Sequence, residues 1–192
     1  MIKVKYLLIS IVITFYLQSV SPSHAKNIHR DRLEEPLNLV RKQLITKGIS
    51  AYQAGYYPEA IHLLRDFLSR RRIITTPLEK EGLIYLALAY QQEGESSHAT
   101  ETITRAIFIA NNSPIELARL ENTAGIIAQQ QAQTAVAIAH WEKARQLYLA
   151  SNQWHKWSEI TLKLAHNYHE LGNNRKYQEL LAELELEPIT YN

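Results

Sequence analysis

The 192-residue chain contains no cysteine. That excludes disulfides, thiolate metal sites and a cysteine nucleophile, and it removes the residue to which a bacterial lipoprotein attaches its lipid. Neither sign of charge is in real excess, with 21 Lys and Arg against 19 Asp and Glu. Lys3 and Lys5 account for the difference, so the chain beyond residue 25 balances at 19 basic and 19 acidic residues. A neutral body argues against nucleic acid as a partner. Catalytic signatures are missing too: there is no Gly-rich phosphate loop, no Gly-x-Ser-x-Gly elbow and no His-Glu-x-x-His sequence. No convincing alternating run of strand type is present either.

What is present begins with a leader. Lys3 and Lys5 precede the apolar stretch "YLLISIVITFYLQSV" from Tyr6, and "SPSHA" ends in small residues at Ser23 and Ala25. This predicts a signal peptide over residues 1–25, cleaved after Ala25. At about fifteen residues the apolar stretch is short for spanning a bilayer, where about 20 are usual. The alternative is an uncleaved anchor. Cleavage leaves an extracytoplasmic protein, periplasmic or secreted, with no membrane association in the mature form. Such a protein without disulfides must rely on its core, and 46% hydrophobic residues supply one. "KNIHRDRLEE", residues 26–35, is too polar to pack and is expected to be a flexible lead-in.

From Pro36 the apolar residues recur at helical spacing. "TTPLEKEG" from Thr75 and "NSPIELAR" from Asn112 write the same helix-start signal twice, with prolines 37 residues apart. Thr76 and Ser113 suit N-caps, Pro77 and Pro114 suit the first helical position, and Glu79 and Glu116 fall at the capping-box position. Gly55, Gly94, Ala132 and Gly172 then recur at intervals of 39, 38 and 40 residues. Gly at such a place supplies the positive φ of a tight turn between antiparallel helices. Seven residues before each turn stand Gly48, Ala87, Gly125 and Ala165, and five residues after it Ala60, Ala99, Ala137 and Tyr177. Small residues there permit close helix crossings. Larger residues fill the rest: Leu44, Leu64 and Phe67, then Leu83, Tyr90 and Ile103, then Trp141, then Tyr168 and Leu181. Four units of two helices are expected over residues 36–188, followed by a tail at 189–192.

This arrangement resembles the tetratricopeptide repeat (TPR) family over nearly the whole chain beyond the leader. It is most specific in the second unit, through Leu83, Leu86, Ala87, Tyr90, Gly94, Ala99, Ile103 and Ala106. The third unit departs, with Ala132 for the turn glycine and Glu121 where a large apolar residue is usual. The fourth departs at Tyr177, whose ring at a small-residue place suggests a splayed pair. The long period, above the standard 34, implies longer helices or longer connections. Phrases such as "ENTAGIIAQQQAQTAVAIAHWEKARQLY" are also similar to the repeat arrays that precede the CHAT domain of cyanobacterial proteins.

The TPR resemblance implies an all-α, right-handed solenoid of about eight helices whose first helices line a concave groove. Carried over by register, the groove-facing, partner-binding residues are Ile45, Ile49 and Tyr52; Ile84, Leu88, Gln91 and Gln92; Asn122, Ile126, Gln129 and Gln130; and Leu162, His166 and His169. An apolar stripe of Ile49, Leu88 and Ile126 ends at His166, beside a ladder of Gln53, Gln92, Gln130 and Glu170. That pattern suits a peptide, with apolar side chains on the stripe and backbone amides on the glutamines. Ile45, Ile49 and Ile84 stand where TPR proteins that hold chaperone C-termini place Lys, Asn and Arg, so no carboxylate clamp is expected.

The function this implies is a non-enzymatic module that binds a protein or peptide in its groove, with no cofactor. The alternative is a periplasmic ligand- or metal-binding protein using His166 and His169, three apart on one helical face, with His155 as a third ligand. Two further clusters read as structural. "SRRR", ending in Arg70 to Arg72, closes a helix where cations meet the negative end of the macrodipole. Trp154 and Trp157 suit core packing at a helix start.

Overall fold

The computed structural model describes residues 22–70, 77–110 and 113–186, with side chains from residue 38 onward. Residues 1–21 of the signal peptide expected over 1–25, Arg71, Arg72, Thr76 and the tail at 189–192 lie outside the described residues. The described residues form eight α-helices and no strand: α1 (Pro22–Gln53), α2 (Tyr57–Ser69), α3 (Pro77–Gln92), α4 (Ser96–Ile109), α5 (Pro114–Gln130), α6 (Thr134–Ala150), α7 (Trp154–Glu170) and α8 (Asn174–Leu186). None of these helices is long and apolar enough to cross a membrane.

Two compact units are distinguished, residues 1–43 and 44–192. In the first, the described backbone is helical from Pro22 onward. That differs from the flexible lead-in expected over residues 26–35 and from a first helix opening at Pro36. The reason lies in the residue types. Lys, Arg, Leu and Glu dominate the stretch and propagate a helix well, and Pro22 takes the first helical position, where its missing N–H costs nothing. Pro36 falls inside the helix.

The second unit is a succession of antiparallel pairs. From α2 to α8 each helix packs on the next in chain order, and α3 packs on α5 as well. Five of the helix ends close in the same way. The N–H of Tyr56, Glu95, Gln133, Gln153 and Asn173 reaches back to the carbonyl of Ala51, Tyr90, Ala128, Tyr148 and Tyr168 at 2.8–2.9 Å. The residue before each donor has positive φ: Gly55, Gly94, Ala132, Asn152 and Gly172. This is the Schellman closure. Four of the five are the expected turns, and Asn152 is additional. It joins α6 to α7, a connection between pairs, by the same three-residue turn used within them. Asn tolerates this left-handed conformation better than most residues with a Cβ. Hence α5, α6 and α7 are each 17 residues long, whereas α2 and α4 have 13 and 14. The long period therefore arises in part from longer helices in the later units.

The small-residue crossings are where the register places them. Ala60, Ala87, Ala99 and Ala137 are 0% exposed. A Cβ on Gly48 would stand 2.8 Å from Leu64 Cγ, and one on Gly125 would stand 2.5 Å from Trp141 Nε1. Gly82 shows a further crossing, between consecutive pairs, with Phe67 Cε1 at 2.7 Å from the same imagined atom. At the start of α5, Ser113 Oγ accepts from Glu116 N at 3.4 Å, and Pro114 begins the helix, as expected. The other half of the capping box is not made. The Glu116 carboxylate turns instead to Arg119 and Lys80, at 3.0 and 3.6 Å.

Two hydrophobic clusters fill the interior. One runs from Ile45 to Ile127 and is largely aliphatic around Phe67 and Tyr90. The other runs from Ala118 to Leu180 around Trp141, Tyr148 and Trp157. Tyr177 packs against the second cluster with its ring 4.8 Å from His169, and Leu180 is the buried anchor of α8. Arg70 ends α2 with its guanidinium on Asp66 at 2.9 and 3.2 Å, a local tie at an exposed helix end.

Candidate functional site

The surface presented by the first helix of each pair (α1, α3, α5 and α7) carries the residues expected to face a groove. The structure divides them. Ile45 and Ile84 are 2% and 7% exposed and belong to the aliphatic core, so Ile45 is closed to a partner and Ile84 shows only an edge, into the cavity described below. In a tightly wound stack these places are covered by the neighbouring pair, as the α3–α5 packing shows. Ile49, Leu88 and Ile126 recur at one register position and are half-buried, with one side on the core clusters and the other open. Leu162 is 54% exposed and Gln92 and Gln130 are exposed. Tyr52 is half-buried against Tyr57 and Tyr85, with ring centroids at 5.7 and 5.4 Å. Burial, with the neighbouring Tyr57 and Tyr85, raises the pKa of its hydroxyl.

Two of the polar residues are committed within the fold. Gln91 Oε1 accepts from Gln131 Nε2 at 2.8 Å, and the same amide reaches the Ser96 carbonyl at 3.3 Å. Gln131 thus ties the turn of the third pair to the second. It was not singled out in the sequence, because its place is an ordinary solvent-facing turn position in the other units. Asn122 Oδ1 accepts from Trp141 Nε1 at 3.1 Å, across its own pair. Gln129 is half-buried, and its Oε1 has no hydrogen-bond partner among the described residues.

The two histidines part company. His166 Nε2 lies 3.3 Å from Glu170, while the His169 ring lies against Tyr177. No group of three His, Asp or Glu side chains able to hold a metal occurs among the described residues. The expected third ligand, His155, is one helix start away from them. Glu121 explains the third unit's departure. It is 4% exposed, and His140 Nδ1 on α6 meets its carboxylate at 2.6 Å. A polar pair there replaces the usual apolar contact. Trp157 is buried in the core, while Trp154, which meets it edge-on at 6.4 Å, is only half-buried.

A cavity of about 280 Å³ opens on the same surface. Ile84 and Ile115 supply apolar wall, Asn122, Thr123, Tyr148 and Gln153 supply polar groups, and Arg119 and Lys156 supply the charge. Two ion-pair groups flank it. Glu116 is shared by Arg119 and Lys80, and Glu159 by Lys156 and Lys163 at 2.8 and 3.9 Å. The hydrogen bond from Lys156, opposed by some desolvation, lowers the Glu159 pKa. The Tyr148 pKa is raised chiefly by burial, with Arg119, Glu159 and Glu116 all close enough to act on it. Both ion-pair groups therefore face one site. Tyr148, Gln153 and Lys156 lie on α6 and at the α7 start, outside the first-helix positions that the register marked.

No family model matches the sequence, and no curated protein matches it. Solved structures do match in fold. The TPR-like repeats of a kinesin light chain from Podosopora anserina superpose with a TM-score of 0.67, covering 82% of this chain and 78% of that one at 18% identity. MamA gives 0.60 over 86% of this chain and 90% of its own, at 17% identity. PcrH, solved in complex with the chaperone binding region of PopB, gives 0.52 over 62% of this chain and 90% of its own, at 18% identity. The fold is thus that of a TPR-like solenoid, with eight described helices forming four pairs.

Proposed function

We propose that this chain is a non-enzymatic, extracytoplasmic protein-interaction module that holds a peptide or protein segment along its first-helix surface. The observation that carries the reading is the row of Ile49, Leu88 and Ile126, each half-exposed at one register position and flanked by exposed Gln92 and Gln130. A stack of helix pairs offers extended area rather than a deep pocket, which suits a segment of chain. PcrH supports it, since a structure of the same fold is solved with a binding region of another protein. The metal reading loses support, because His166 and His169 engage different neighbours.

A random-peptide library displayed on phage and panned on the folded protein tests this directly. Selected peptides should bind at least tenfold more weakly to the Leu88→Glu/Ile126→Glu variant, because two charges on the stripe must be desolvated against an apolar segment. The circular-dichroism melt should shift only modestly. Peptides that bind wild type and variant equally would move the site to another surface. Export rests on the leader sequence alone. Mass spectrometry of the protein recovered from the producing cell should give Lys26 as the N-terminus, and a retained Met1 would overturn it.

A further inference from the structure

The cavity between α5, α6 and the start of α7 has a chemistry that the apolar stripe lacks. No acidic side chain lines it, while Arg119 and Lys156 both do. Counting the flanking groups, four cations (Lys80, Arg119, Lys156 and Lys163) share two carboxylates, Glu116 and Glu159, which leaves a net charge of +2. The two lining cations supply most of the free donors, since Thr123 Oγ1 and Gln153 Nε2 already donate to the Arg119 and Ser151 carbonyls at 3.0 and 3.5 Å. Asn122 has given its Oδ1 to Trp141, so the amide nitrogen is what remains to it. The Tyr148 hydroxyl makes no hydrogen bond among the described residues. Ile84 and Ile115 close one side with methylene-compatible surface.

A volume of about 280 Å³, at the lower edge of the roughly 300–1,000 Å³ of small-molecule sites, has room for an Asp or Glu side chain together with its flanking backbone. We propose that this cavity receives an acidic side chain, Asp or Glu, of the segment bound along the first-helix surface. The carboxylate lies between Arg119 and Lys156 and accepts from Tyr148 and Asn122, and the side-chain methylenes lie on Ile84 and Ile115. The inference rests on the binding-surface reading and gives it a chemical preference: a segment with an acidic residue set beside its apolar ones. Charge-assisted hydrogen bonds of this kind are about twice as strong as neutral ones. The site therefore acts as an anchor that fixes the register of the segment.

The peptides selected on wild type supply the probe. Each is resynthesised with an amidated C-terminus, so that only side-chain carboxylates remain, and paired with a version carrying Glu→Gln or Asp→Asn. Fluorescence anisotropy should show the neutral version binding wild type about tenfold more weakly. The Arg119→Gln/Lys156→Gln variant should bind both versions alike. Its two residues are about half exposed, at 48% and 50%, so folding is preserved and circular dichroism checks it. Selected peptides with no enriched acidic position, or a penalty that persists undiminished in the variant, would overturn the inference while leaving the binding surface intact. Failure to select any peptide would overturn the binding surface and the inference together.

Discussion

The first two helix pairs and the last two use one register and hold it together differently. In the earlier pairs the interior is an aliphatic cluster around Leu64, Phe67, Leu83 and Ile103. In the later pairs rings and charges share the work. Arg145 on α6 lies over Trp157 at 5.5 Å and donates to Thr161 on α7 at 3.1 Å. It also binds Glu183 on α8. Glu142, 4.0 Å from Arg145, accepts from the Tyr168 hydroxyl at 3.4 Å. One side chain, 14% exposed, thus joins three consecutive helices. The difference teaches that the repeat fixes where helices cross, while the residues between crossings decide whether adjacent pairs are joined by packing or by directed bonds. Packing tolerates variation in the connections between pairs. Directed bonds need the even spacing that the three-residue α6–α7 turn provides.

The largest effect expected from breaking this contrast is that of Arg145→Ala. It removes a cation from Glu183 and Glu142, the ring contact with Trp157 and one of the two hydrogen bonds of the Thr161 hydroxyl. Hydrogen bonds to charged groups contribute about 1.5–3 kcal/mol, and Glu183 is 46% exposed and re-solvates easily, so a loss of about 2 kcal/mol is expected. Because each pair in a solenoid contacts only its neighbours, the loss should be local. Hydrogen exchange should accelerate in α7 and α8 and stay unchanged in α3 and α4. Equal acceleration in both regions would show the two halves to be one cooperative block, and the contrast would carry no energetic weight.

The sequence made the crossings legible because a crossing has a strict local requirement. The missing or minimal side chain at Gly48, Gly125, Ala60 and Ala99 is set by how closely the neighbouring helix approaches, and a larger one would make a neighbour shift, so those positions show the register. The turns were legible for the same reason, except at Asn152, where a residue that merely tolerates positive φ stood outside the expected interval. The surface was less legible. Register alone put Ile45 and Ile84 on the groove, yet their exposure depends on how closely the next pair approaches, a long-range property. The cavity was only partly readable, since register marked Ile84 and Asn122 among its lining residues. Its residues come from α3, α5, α6 and the start of α7, and no spacing rule links Arg119 to Tyr148 and Lys156.

The smallest expected effects come from adding one methyl group at three crossings, and their order tells whether the contrast lies in the halves or in the rings. Gly→Ala inside a helix gains about 1 kcal/mol of propensity. Against that stands overpacking, which costs about 1–3 kcal/mol when neighbours cannot yield. At Gly48 the new atom meets Leu64 Cγ and Cδ2 at 2.8 and 2.9 Å, an aliphatic side chain with rotamers to change. With about 1 kcal/mol of propensity set against mild overpacking, the net for Gly48→Ala should be a loss of no more than about 1 kcal/mol. At Gly125 it meets three indole atoms of Trp141 at 2.5–2.8 Å, and that ring is 3% exposed and tethered to Asn122. Gly125→Ala should therefore lose about 1–2 kcal/mol by urea denaturation. Gly82 decides between explanations, since it belongs to the aliphatic half but meets a ring, Phe67 Cε1 at 2.7 Å. If the rigid ring is the cause, Gly82→Ala behaves like Gly125→Ala. If the aliphatic half as a whole yields more readily, it behaves like Gly48→Ala. Phe67 is fully buried but has no hydroxyl or N–H with which to be tethered, so the expected loss at Gly82 falls between the two, nearer to that at Gly125. Equal stabilities for all three variants would mean that neither ring nor half governs how much room a crossing has.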